Sequence, residues 1–144
     1  MLQMRWIRTA GLGALGCFLG GCAMYSVAGQ FEDTGMAFYG RVTVSPVDIG
    51  MLEVKTADGS ITCSGTSRVT ERGSLTSNVG AQGSATATCS DGRTFKVDFM
   101  QTTEGGGHGQ GIDNRGQIVK VFFDMSATSA RARLDRQRLN GLVQ

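Results

Sequence analysis

The sequence predicts an all-β protein: an antiparallel meander that folds into a small sandwich or a barrel-like sheet, followed by one short C-terminal helix. Three observations carry that expectation. From Met36 to Met125 apolar and polar residues alternate with period two, as in strands with one buried and one wet face. Asp58-Gly59, Asp91-Gly92 and Asn114-Arg115-Gly116 fall between the alternating runs, and such residues accept the positive φ of tight hairpin turns. Glycine supplies 22 of 144 residues against a single proline. With no triplet repeat, that excess belongs to strands and turns, and collagen and polyproline segments are excluded. The remaining composition, 14 Lys+Arg against 12 Asp+Glu with 40% hydrophobic residues, excludes a disordered polyelectrolyte and a multi-pass membrane protein.

Residues 1–21 read as a secretory signal. Arg5 and Arg8 give the positive start, and Thr9 to Gly21 is uncharged and rich in Ala, Leu, Gly and Phe. A transmembrane helix over Thr9 to Tyr25 would cover only about 25 Å, short of a hydrocarbon core of roughly 30 Å. The signal ends on Leu19-Gly20-Gly21-Cys22, which resembles the lipobox of bacterial lipoproteins: an aliphatic residue, two small residues, then cysteine. The resemblance implies a diacylglyceryl group on the Cys22 thiol, cleavage just before it and acylation of the freed amine. Cysteine suits that chemistry because its thiolate is a strong nucleophile near neutral pH. Ala14-Leu15-Gly16-Cys17 is a poorer match, with Ala in the aliphatic position. The competing reading is an ordinary cut after Ser26-Val27-Ala28, leaving a product that starts at Gly29 with no lipid. In the lipoproteins this motif resembles, Asp after the cysteine retains the protein in the inner membrane. Ala23 stands there, which implies a periplasm-facing place on the outer membrane.

Without the signal, residues 22–144 hold 12 basic and 12 acidic residues. The balance is uneven, because Arg131, Arg133, Arg136 and Arg138 stand against Asp135 alone in the last 14 residues. A neutral-to-acidic body with a basic tail lacks the basic footprint of a nucleic-acid-binding domain. Cys63 and Cys89 then remain in an oxidising compartment, where two cysteines most often form one disulfide. Chain entropy gives such a loop about 3.5 kcal/mol. The staple matters because Leu, Ile, Val and Phe number only 26 in these 123 residues, a modest core. A structural metal is a poor rival, since two thiols and His108 fall short of a four-ligand shell. No cofactor is expected beyond the diacylglyceryl and N-acyl lipid on Cys22.

In chain order, residues 22–35 read as a polar, glycine-punctuated tether, able to reach roughly 45 Å when extended. Residues 36–125 form the β domain. Its inward parity carries Phe38, Val42 and Val44; Leu52 and Val54; Ile61 and Cys63; Ala85, Ala87 and Cys89; Phe95, Val97 and Phe99; then Val119, Val121, Phe123 and Met125. Cys63 and Cys89 share that parity, as a core disulfide needs. Arg68 to Gly83 is a long connection, either a binding loop or a solvated one. The run from Glu104 to Ile112 lacks the helix that a phosphate cradle needs behind its glycines. Gly105, Gly107, Gly109 and Gly111 instead lie at strand spacing, leaving a bare face over which Phe95 and Phe99 pack. Cys89-Ser90-Asp91-Gly92-Arg93, followed by an aromatic and a glycine-alternating strand, resembles a body found in small proteobacterial outer-membrane lipoproteins, and it implies no activity. Residues 126–144 read as a basic helical tail, capped by Ser126 or Ser129 and ended near Asn140-Gly141. Leu134 and Leu139 are about 140° apart, so its apolar face is weak. It either lies on the sheet or offers Arg131, Arg133, Arg136 and Arg138 to an envelope protein or an anionic envelope polymer.

Little in the chain points to catalysis. His108 is the one histidine, it is flanked by glycines, and neither a Gly-x-Ser-x-Gly elbow nor a His-Glu-x-x-His pair occurs. The expectation is a lipid-anchored envelope protein with a binding or structural role. The alternative is a small envelope hydrolase, or an inhibitor of one, with its site near the long loop or His108.

Overall fold

The computed structural model describes residues 21–141. Nearly all of the expected signal (1–20) and the last three residues of the tail lie outside the described residues. Eight strands run in order: β1 (Ala23–Phe31), β2 (Met36–Val44), β3 (Ile49–Thr56), β4 (Thr62–Glu71), β5 (Gln82–Cys89), β6 (Thr94–Thr103), β7 (Gly106–Asp113) and β8 (Ile118–Asp124). Helix α1 (Ala127–Gly141) follows. Each strand pairs antiparallel with the next, and β8 pairs back onto β1 from Ser26↔Asp124 to Phe31↔Val119. The meander is therefore a closed barrel, not a sandwich. Closure removes both sheet edges and their unpaired backbone groups.

The expected tether over 22–35 is instead strand β1 and the turn that follows it. Tyr25, Val27 and Phe31 do alternate inward, but Val27, Ala28 and Gly29 are all buried, because α1 covers the outer face at Ala28. Burial on both sides erases the period-two signal there. Without β1 the edges of β2 and β8 would stay open. The long connection is also shorter than expected, spanning 72–81 between the ends of β4 and β5.

Helix α1 starts where Ser126 Oγ accepts the Ser129 N–H at 3.0 Å, an N-cap. Its apolar face is Ala130 with Leu134, one turn apart and both 1% exposed, set against Ala28, Ala37, Tyr39 and Phe122. Leu139 is left outside. Among the described residues no helix is long and apolar enough to cross a membrane. The barrel's outward parity carries Arg41, Glu53, Lys55, Lys96 and Asp98, all exposed, where a membrane-spanning barrel presents an apolar band.

Candidate binding cavity

The inward side chains differ sharply between the two ends of the barrel. Toward the end closed by the β1–β2, β3–β4, β5–β6 and β7–β8 turns, Phe31, Phe38 and Phe95 meet with centroids 5.0–6.1 Å apart. Gly29 makes that possible, since a Cβ there would lie 2.1 Å from Phe38 Cζ. The Cys63–Cys89 disulfide joins register partners on the inner wall of β4 and β5 at the same end. Below the rings Arg93, 4% exposed, holds its guanidinium 4.2 Å from the Phe31 centroid. It forms salt bridges with Asp33 at 3.4 Å, Asp91 at 3.8 Å and Asp113 at 3.5 Å. One cation thus ties three turns together and plugs this end.

At the other end several inward positions are small, Gly50, Ser67, Gly83, Ala85, Gly107 and Gly109, and they stand between larger residues. Gly83 and Gly107 let aromatic rings lie back against bare backbone; a Cβ would fall 2.5 Å from Phe99 Cζ at Gly83 and 2.7 Å from Phe123 Cζ at Gly107. The rings over the glycine face are therefore Phe99 and Phe123; Phe95, also expected there, sits opposite Asp113 in the aromatic plug. Recessed into the wall, these rings leave the lumen open.

The result is a cavity of about 500 Å³ that opens at the end where β1 begins. Its floor is Phe38, Phe95 and Val97, and its walls include Tyr25, Val42, Leu52, Val69, Phe99 and Phe123. Polar groups are few. Gln101, buried, donates its Nε2 to the Glu104 carbonyl at 2.9 Å. The Ser45 hydroxyl is buried at the mouth with no hydrogen-bond partner among the described residues. Arg72 and Asp48 bridge the mouth, Arg72 Nε donating to Asp48 Oδ2 at 2.8 Å. Asp48 itself adopts φ +64°. This clasp joins the β2–β3 turn to the 72–81 loop, so part of the long connection does border the cavity.

The sequence-derived site residues fall in different places. Cys22 is exposed, one residue ahead of β1 and at the rim of the open end. The four tail arginines do not form one patch. Arg133 donates to Asp124 and to Thr103, both at 3.1 Å; Arg138 donates to Gln30 Oε1 and the Gly35 carbonyl, both at 2.6 Å; and Arg131 stacks 4.3 Å from the Tyr39 centroid. Three of the four dock the helix, while Arg136 is exposed. His108 is exposed on the outer face of β7, paired with Met100 and Phe122 and remote from the lumen. Among the described residues no cluster of three or more His, Cys, Asp or Glu is placed to hold a metal ion.

These features define a class: a closed eight-stranded antiparallel barrel, plugged at one end and hollow at the other. Eight strands enclose room for inward side chains or for one small ligand. Among solved structures the chain is similar to a de novo designed fluorescence-activating β-barrel, with a TM-score of 0.52 and 13% identity over 71% of this chain and 90% of that one. The likeness is one of fold. No protein-family model and no curated protein matches the sequence.

Proposed function

We propose that this protein is a lipid-anchored envelope protein whose barrel binds one apolar or amphipathic small molecule, such as a fatty acyl chain, in the cavity at its open end. The cavity carries the binding half of that reading. A volume of about 500 Å³ lies within the 300–1,000 Å³ range typical of small-molecule sites, and the lining is aliphatic and aromatic with a few polar groups near the mouth. The Ser45 hydroxyl and the Arg72 guanidinium suit the polar head of an amphiphile whose chain descends toward Val97. The anchor half rests on the lipobox and on Cys22 standing directly before β1. Two or three acyl chains at about 0.8 kcal/mol per buried CH₂ hold far more firmly than a single myristoyl group.

Titration with a fluorescent polyene fatty acid tests the cavity. Wild-type protein saturates at one equivalent. Ala85→Phe, which fills the lumen from β5, weakens binding by about tenfold, as the loss of one good apolar contact region implies. Equal binding by the two proteins refutes the cavity as the site. For the anchor, Cys22→Ser loses labelling by radioactive palmitate and moves to the soluble fraction; persistent labelling refutes it.

A further inference from the structure

Most of the exposed large apolar side chains gather at one end of the barrel. Met24 (55% exposed), Val47 (71%), Met51 (63%), Leu75 (108%) and Met125 (67%) all surround the open end, with Val79 beside Leu75. They come from five separate segments: the start of β1, the β2–β3 turn, the outer face of β3, the 72–81 loop and the end of β8. Single exposed apolar residues mean little, but a ring contributed by five segments at one end marks a contact surface. The opposite end is more polar: its tight turns carry Asp33, Asp58, Asp91 and Asn114, and its exposed large apolar residues are the cross-strand pair Ile112 and Ile118. Cys22 lies on the apolar ring, and the apolar lumen opens through it.

We infer that the open rim of the barrel is a membrane-docking surface, seated in the lipid interface so that the cavity mouth faces the acyl chains and loads its ligand directly from the bilayer. This rests on the binding and anchoring proposed above and extends them to an orientation and to a ligand source, a membrane lipid chain and not a water-borne solute. The physical case is that a lipid on Cys22 has no spacer. The chain enters β1 at the next residue, so the anchored end is the rim itself, and its apolar ring then meets hydrocarbon instead of water. The polar wall of the barrel stays wet, and the Asp-rich plug points away.

The test uses the mature acylated protein, residues 22–144, in vesicles of phosphatidylethanolamine and phosphatidylglycerol; Trp6 leaves with the signal, so an introduced tryptophan is the sole reporter. With a shallow doxyl-labelled lipid as quencher, Leu75→Trp at the rim loses about half of its fluorescence while Ile112→Trp at the plugged end stays within about a tenth of its unquenched value, as interfacial burial to a depth of a few ångströms requires. Equal quenching at both positions, or none at Leu75→Trp in protein that carries the palmitate label, overturns the docked orientation. So does a rim that excludes quencher by pairing with a second copy, seen as a dimer that the double variant Val47→Ser, Met51→Ser, at two rim residues outside the cavity lining, converts to monomer. That double variant also takes up a pyrene-labelled phospholipid from vesicles about tenfold more slowly while its affinity for free fatty acid in solution stays within about twofold, because docking and cavity are separate surfaces. If free fatty acid binding is absent while Leu75→Trp is still quenched, the cavity reading fails and the docking reading stands.

Discussion

The two ends of this barrel are built from the same eight strands and differ in almost everything else. The plugged end has four short turns, three phenylalanines in ring contact, a disulfide and a buried arginine with three aspartates. The open end has a 72–81 loop, glycines and alanines on its inner wall, and one exposed clasp between Arg72 and Asp48. On the function proposed above, one end carries stability and the other binding. A barrel of this size cannot both fill its lumen with side chains and keep room for a ligand, so it divides the tasks along its axis.

That division is open to direct attack, most strongly through its two arginines. Arg93→Ala leaves Asp113, whose side chain is fully buried, without its cation, and urea unfolding is expected to show a loss of about 3–5 kcal/mol. Arg72→Ala removes an exposed pair at the mouth and is expected to cost under about 1 kcal/mol. Comparable losses at both ends would break the contrast. A smaller effect separates two alanines on the inner face of β5. Ala87→Phe overpacks the closed end at a cost of about 2–3 kcal/mol, whereas Ala85→Phe enters the cavity and shifts stability by about 1 kcal/mol or less. The smallest effect concerns pH. The Ser60 N–H, the Thr56 hydroxyl and the Ser60 hydroxyl, all bonded to the Asp58 carboxylate, lower its pKa from 3.8 to about 2. A depressed folded-state pKa contributes stability above the unfolded value that is lost as pH falls. The urea midpoint of wild type should therefore drop between about pH 4 and pH 2 by more than that of Asp58→Asn; parallel slopes would show that this turn contributes nothing.

Much of this was legible in the sequence, for reasons that also mark where legibility stops. Strands with one wet face announced themselves, and Asp58-Gly59, Asp91-Gly92 and Arg115-Gly116 became hairpin turns with Gly59, Gly92 and Gly116 at positive φ. The shared parity of Cys63 and Cys89 matched their bond. Strand β1 was hidden because Ala28 is buried by the helix while Val27 and Gly29 are buried by the barrel, and two-sided burial has no alternation. The Arg93 cluster was hidden because its Asp33 partner is 60 residues away and nothing local pairs them. Inward residue size alone does not mark the hollow end, because Tyr25, Phe99 and Phe123 stand there beside Gly50, Gly83 and Ala85; what opens the lumen is that glycines let Phe99 and Phe123 lie against the wall. The tail arginines were ambiguous in sequence: the helix could lie on the sheet or offer its charge to a partner, and three of the four arginines fasten α1 to its own barrel.

Methyl NMR with a spin-labelled fatty acid probes the hollow end most directly. One equivalent of ligand should broaden the methyl resonances of Val42, Val69 and Val121, which face the cavity, and leave Leu134 under the helix and Ile118 near the plugged end sharp. Unchanged spectra, or broadening confined to the outer wall, would contradict a ligand seated in the lumen.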